Sequence, residues 1–140
     1  MILKIKKLNP EAKLPEFAHA GDAGLDLFSL TEVTLKPGEF TRILTGVALQ
    51  IPIGHVGLIW DKSGLASNYG LKVLGGVVDA GYRGEVQVGM INLSKKSYTI
   101  EKHHKVAQML IQKVSSPKIK EVKKLSDTAR GKGGFGSTGK

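Results

Sequence analysis

The chain has 140 residues, 24% of them charged and 41% hydrophobic, a length and balance that give one domain with a core of its own. It has no cysteine, which excludes disulfides and thiolate metal sites. No run approaches the roughly 18 apolar residues of a membrane span, and "MILKIKKLNP" lacks the apolar stretch of a signal peptide, so a cytoplasmic location without a membrane partner is expected. The formal net charge of +9 suits a polyanion, either a nucleic acid or a nucleotide triphosphate. The lysines are scattered, however, and the 4 Phe, 3 Tyr and 1 Trp do not interleave with them as in a nucleic-acid groove. The charge reads as a solvated surface, with no specific nucleic-acid partner expected.

In chain order, the first notable segment is Ala20-Gly21-Asp22-Ala23-Gly24-Leu25-Asp26-Leu27. On an extended backbone Asp26 points away from Leu25 and Leu27, and its carboxylate could hold the water shell of a metal or make a structural hydrogen bond. "TEVTL" and "FTRILTGVALQI", on either side of Pro37-Gly38, predict a hairpin around a Pro-Gly turn. "HVGLIW" predicts another short strand. Next, Asp61-Lys62-Ser63-Gly64-Leu65-Ala66 sets a cation, a hydroxyl and a glycine N–H in sequence, a small oxyanion nest. "SGLASNYG" predicts a turn of helix or a loop.

Within Gly75-Gly76-Val77-Val78-Asp79-Ala80-Gly81-Tyr82-Arg83-Gly84 an apolar strand ends in a carboxylate, with a tyrosine three residues on. Paired glycines let a base or sugar come close to the backbone. Asp79 reads either as a general base that deprotonates a water or as an aspartate in a β-turn. In "GEVQVGM", Val86, Val88 and Met90 alternate with Gln87 and Gly89, the period of a half-buried strand. "KSYTIE" predicts a further strand. His103 and His104 are adjacent and would face opposite sides of a strand, so a turn or surface role is expected rather than a shared metal. "KVAQMLIQKV" fits both a helix and a strand, and its short-strand surroundings favour the strand. An all-β sandwich or jelly roll is the fold these signals support.

After Leu125 the apolar pattern stops. Residues 126–140 cannot bury enough surface to repay their ordering, and a division into a β domain over 1–125 and an arm over 126–140 is expected. The arm ends Arg130-Gly131-Lys132-Gly133-Gly134-Phe135-Gly136-Ser137-Thr138-Gly139-Lys140. Its glycines let N–H groups curl around an anion, Arg130 and Lys132 bring charge, and Ser137 and Thr138 bring hydroxyls. Phe135 has no apolar neighbours and suits a flat ligand. The reading is an arm that grips phosphates and lays a ring on a base; the alternative is a disordered glycine-rich tail. At ~3.3 Å per residue it reaches on the order of 45 Å, enough to meet a neighbouring subunit.

Together with Gln108 these segments resemble the trimeric dUTPase family, which carries five ordered motifs: here "AGDAGLDL", "DKSGLA", "GGVVDAGYRGEV", "KVAQMLI" and "RGKGGFGSTG". The resemblance implies a jelly-roll homotrimer with active sites shared between subunits and closed by the arm. It implies a dUTP diphosphatase that converts dUTP and water to dUMP and pyrophosphate with Mg²⁺, limiting uracil in DNA and supplying dUMP for dTMP synthesis. It makes Asp79 the base that activates water for attack on the α-phosphorus, and Tyr82 the ring that packs on deoxyribose and excludes a 2′-hydroxyl. Uracil would meet main-chain groups of a hairpin over Val73 to Val78, Gly76 included. Lys62, Ser63, Gly64 and Gln108 would hold phosphates, and Asp26 would orient a water of the Mg²⁺ shell or a neighbouring arginine. Arg130, Gly136, Ser137 and Thr138 would clamp the γ-phosphate while Phe135 stacks on uracil.

Two departures from the family pattern stand out. Lys62 replaces an arginine, turning a bidentate contact into a point charge, and His103-His104-Lys105 replaces Gly-Asp-Arg. A dCTP deaminase shares the fold but needs an extra Ser-Arg pair and a later Glu that are missing here. A non-catalytic basic binding module would have no use for Asp79 beside a phosphate clamp.

Overall fold

The computed structural model describes residues 1–137 and 139, so Thr138 and Lys140 lie outside the described residues. Three antiparallel sheets and one short helix make the fold, which bears out the all-β reading. The first sheet orders β1 (Lys4–Lys7), β5 (Phe40–Gln50), β9 (Glu85–Asn92) and β7 (Leu71–Leu74). The second orders β2 (Glu16–Phe17), β3 (Leu25–Phe28), β11 (Lys105–Lys113), β6 (His55–Asp61) and β8 (Val77–Asp79). β10 (Tyr98–Ile100) and β4 (Val33–Leu35) pair as a two-stranded ribbon. The helix α1 (Ser63–Tyr69) occupies the stretch expected to be helix or loop. No helix among the described residues is long and apolar enough to cross a membrane.

The core is made from the inward faces of the two large sheets. In β9 the alternation holds: Val86, Val88 and Met90 are buried while Gln87 is exposed. β11 lies between β3 and β6 with Val106, Ala107 and Met109 all buried. Two consecutive residues are buried because a bulge interrupts the ladder between Lys105 and Ala107. That bulge blurs the period of two, and it explains why "KVAQMLIQKV" fits a helix equally well by spacing.

The hairpin expected around Pro37-Gly38 does not form. A turn is present, with the Glu39 N–H donating to Lys36 O and the Lys36 N–H to the Glu39 carboxylate. The start of β5, Phe40–Leu44, pairs with β9, and β1 pairs only with its far end, Val47–Gln50. β4 pairs with β10 rather than with β5, Val33 opposite Ile100. Nor do Val73 to Val78 make a paired hairpin: β7 joins β9, and β8 joins β6. Gly75 and Gly76, at φ 77 and 109, swing the chain from one sheet to the other. A Cβ on Gly76 would meet Ile59 O at 2.7 Å, so only glycine fits there. The Pro37-Gly38 turn is as expected, but the strand partners in both places are not.

Strand structure ends at Lys113, and the Val114 N–H still donates to Gly54 O. Beyond it the described residues are exposed, Ile119 and Leu125 among them, apart from half-buried Gly133 and Gly134.

Candidate functional site

β3 holds Asp26 in an unusual setting. It sits in a strand buried on both faces and is itself only 1% exposed. Lys62 Nζ lies 2.5 Å from Oδ1, and Lys105 Nζ lies 2.7 Å from Oδ2. Burial pushes the Asp26 carboxyl up, but the hydrogen bonds and charges of Lys105 and Lys62 outweigh it and hold the group below the usual carboxylate range. Conversely, the Asp26 carboxylate raises the Lys105 ammonium against partial desolvation.

Gln108 faces Asp26 across the β11–β3 ladder and Trp60 across the β11–β6 ladder. Its amide donates to Asp61 O at 2.9 Å. Asp26, Lys62 and Gln108 line one cavity of about 540 Å³ with Trp60 and Asp61. Ser63 and Gly64 follow directly as the exposed first turn of α1, where backbone N–H groups have no partner within the helix. The structure thus sets Asp26 of the first motif beside the residues assigned to phosphate in the second and fourth.

Asp79 stands elsewhere. It ends β8 opposite Val56, at the far end of β6 from Lys62. It shares a cavity of about 220 Å³ with Val78, Tyr82 and Glu85. The Tyr82 N–H donates to Asp79 O at 3.0 Å and its hydroxyl to Glu85 O at 2.9 Å, which fixes the ring beside the acid. Gly84 lies against that ring so closely that a Cβ would overlap the hydroxyl. Val73 and Gly76 line a third hollow of about 200 Å³ with Trp60. At ~3.3 Å per residue, the six positions from Val56 to Lys62 put roughly 20 Å between the backbone opposite Asp79 and that of Lys62. One chain does not bring Asp79 to the Lys62 cluster.

No described residue of the arm lines any of these three cavities. Arg130 bonds back to Gly133 O at 2.8 Å, and the Ser137 N–H donates to Gly134 O at 3.1 Å, so the arm is folded into turns of its own. Phe135 is fully exposed, and Gly136 follows it. Thr138 falls outside the described residues.

Three residues escaped sequence reasoning. Lys105 is the second partner of Asp26. Asp61 accepts from the Val73 N–H at 2.6 Å and from Lys72 Nζ at 2.7 Å, tying the end of β6 to β7. Glu85 accepts from the Gly46 N–H at 2.7 Å, where β5 bulges opposite it. All three stand inside quoted motifs, Asp61 at the head of the second, Glu85 in the third and Lys105 at the head of the fourth, but none was given a role. His103 and His104 lie in the turn before β11, as expected. His103, at φ 65, points Nε2 at Glu11 O, and His104 lies 3.2 Å from Glu101 Oε2.

A resident metal finds no cage here. No group of three His, Cys, Asp or Glu side chains among the described residues could hold an ion. Both oxygens of Asp26 are engaged by ammoniums, which repel a second cation. Of the two roles expected for Asp26, the geometry shows the contact with neighbouring cationic side chains, lysines in place of arginine, while each carboxylate oxygen keeps a second lone pair.

The profile of the dUTPase family matches residues 10–139. A deoxyuridine 5'-triphosphate nucleotidohydrolase of Alkaliphilus metalliredigens is 51% identical over 139 residues, 98% of this chain and 96% of the relative. One from Clostridium kluyveri is 50% identical and covers 99% of both chains. Among solved structures, the Staphylococcus bacteriophage 80alpha dUTPase with dUPNHPP superposes with a TM-score of 0.93 at 34% identity, covering 99% of this chain and 98% of that one. A mutant dUTPase of phage phi11 of S. aureus, described with a structural Mg(II) ion, has a TM-score of 0.85 at 31% identity and covers 91% of this chain and 100% of that one.

Proposed function

The chain belongs to the dUTPase family and is a dUTP diphosphatase, and from that premise we propose how its residues divide the work. A water oxygen bonds to the α-phosphorus of dUTP while its proton passes to the Asp79 carboxylate. The bond from that phosphorus to the bridging oxygen breaks, and pyrophosphate leaves with the electron pair, giving dUMP. Tyr82, fixed by its bond to Glu85 O, fills the space a 2′-hydroxyl would need and so rejects UTP by volume. Main-chain groups between Val73 and Val78 read uracil; their polarity matches O4 and N3–H and opposes cytosine.

Lys62, Ser63, Gly64 and Gln108 receive the phosphates, and Asp26 positions Lys62. Residues 126–140 close over the nucleotide, Phe135 on the base and Arg130, Gly136, Ser137 and Thr138 on the γ-phosphate. Stacking of one base on an aromatic ring is worth ~1–3 kcal/mol, comparable to the cost of ordering a few arm residues, so closure follows substrate. Closing the arm excludes bulk water and strengthens each contact to the developing charge. Mg²⁺ bound to the triphosphate supplies countercharge; the protein residues above hold the nucleotide around it.

The observation that carries this reading is the placement of Asp79 and Lys62 at opposite ends of β6. A complete site then needs Asp79 and Tyr82 of one copy against Lys62 and Gln108 of another, which supports a homotrimer with shared sites. The test is complementation. Asp79→Asn and Lys62→Met each lose most pyrophosphate release from dUTP, and co-assembled trimers of the two recover a substantial part of it. Mixed trimers as inactive as either parent would place the whole site within one chain. Parallel assays with UTP, dCTP and dTTP should show release from dUTP alone.

A further inference from the structure

We propose that Glu85 is a positioning residue for sugar selection: its carboxylate ties the start of β9 to the bulge in β5, and that tie aims the Tyr82 ring. This deepens the dUTPase reading and rests on it for the role of Tyr82.

The β5–β9 ladder runs from Phe40 opposite Ile91 to Leu44 opposite Gln87, and it resumes only with Ala48 opposite Glu85. Between those pairs β5 has Thr45, Gly46 and Val47 where β9 has Val86 alone. Gly46 stands there at φ 70, and a Cβ on it would meet that of Ala12 at 2.8 Å. On one side the bulge is fastened to the body: Gly46 O accepts from the Leu8 N–H and Leu44 O from the Leu30 N–H, both at 2.8 Å. On the other side two side chains fasten it to β9. The buried Gly46 N–H donates to Glu85 Oε1 at 2.7 Å, and Thr45 Oγ1 donates to Val86 O at 2.6 Å.

Glu85 joins two structures at one residue. Its side chain holds the bulge, and its main-chain oxygen accepts from the Tyr82 hydroxyl at 2.9 Å. The turn before it is braced locally by Arg83, whose Nη1 donates to Ala80 O at 2.6 Å and to Tyr82 O at 2.8 Å. Those bonds fix the backbone of the turn and do not touch the ring. Tyr82 is 46% exposed, so packing alone does not fix it either. Its orientation depends on the contact with Gly84 and on where the Glu85 carbonyl stands. Beside the bulge, the bonds from Gly46 and Thr45 take the place of the missing ladder. Only the one from Gly46 ends on the residue whose carbonyl holds the ring.

The test compares kcat/KM for dUTP and UTP, read as pyrophosphate release by the full-length protein. Glu85→Ala should lower the preference for dUTP about 5-fold, the size of the neutral hydrogen bond that aims the ring. Glu85→Gln keeps an acceptor for the Gly46 N–H and should restore most of the preference. In a Tyr82→Phe background, where the hydroxyl is already gone, Glu85→Ala should lower the preference by no more than about twofold further. Glu85→Asp stops one methylene short of Gly46 and remains readable where Glu85→Ala folds poorly; it too should lower the preference. Thr45→Val loosens the same bulge without touching the residue that holds Tyr82, so it should lower the melting temperature and leave the preference in place. A preference unchanged in Glu85→Ala or Glu85→Asp, or falling as far in Thr45→Val, would reduce Glu85 to a support of the bulge and overturn the proposal. Failure of the dUTPase reading would look different: the unmodified protein would release no pyrophosphate from dUTP, or release it equally from UTP.

Discussion

Around Asp26 a buried carboxylate is gripped by ammoniums from two different elements of the body, whereas in the arm Phe135 stands in solvent and Arg130 bonds only to Gly133, three residues on. The first arrangement is fixed by sheet register before any ligand arrives. Among the described residues the second is folded into turns of its own, and under the proposed function it takes its order from the nucleotide. Under the same proposal the phosphate-side residues of the body sit on β3, β11 and the start of α1, where misplacement would cost most. Those that must admit substrate and release product sit on a segment with no core to hold it.

The sharpest way to break this contrast is to remove the arm. Deleting 126–140 should lower kcat/KM for dUTP about 10²–10⁴-fold, the sum of a lost stack and lost charge-assisted contacts, while the melting temperature stays unchanged. A large loss of thermal stability on deletion would show that the arm is part of the body. Gly84→Ala probes the rigid side. Its methyl group would displace the Tyr82 ring, and the preference for dUTP over UTP, measured by pyrophosphate release, should fall about 10-fold.

Asp26→Asn should cost about 2 kcal/mol at neutral pH by denaturant unfolding, since the lysines it releases can still reach water. Its pH dependence has a definite sign. The folded carboxyl titrates below its ordinary value, so its contribution is complete above the unfolded value near 4 and disappears as pH falls through the lower folded value. The Asn variant should therefore lose that part of the acid limb. The smallest effect is expected at His103→Gly, where relief of the left-handed backbone should raise stability by about 0.5 kcal/mol net of the bond to Glu11 O.

Local chemistry was legible and long-range choice was not. The alternation of Val86, Val88 and Met90 survives because β9 buries a single face. The Ser63–Tyr69 helix and the two turns were equally readable, since turn and cap preferences depend on a few neighbouring residues. What failed was the assignment of partners. Nothing in "TEVTL" says that β4 will pair with β10 rather than β5, and nothing near Gly76 says that β8 will leave β7 for β6. Lys105 was named only as a departure from the family pattern: its spacing from Ala107 and Met109 is that of a core face, and only the bulge reverses it. The motif residues were placed through resemblance. The separation of Asp79 from Lys62 came from the ladder of β6, which joins residues far apart in sequence.

Under the proposed division of work, β6 is a shared beam with one half of the chemistry mounted at each end, and a lone copy would display two unmatched halves. In an open row of such copies the two outermost halves would stay idle, and the row would hold one working centre fewer than it has members. Closing the row into a ring removes that loss, since each acid end then meets the cationic end of the next copy.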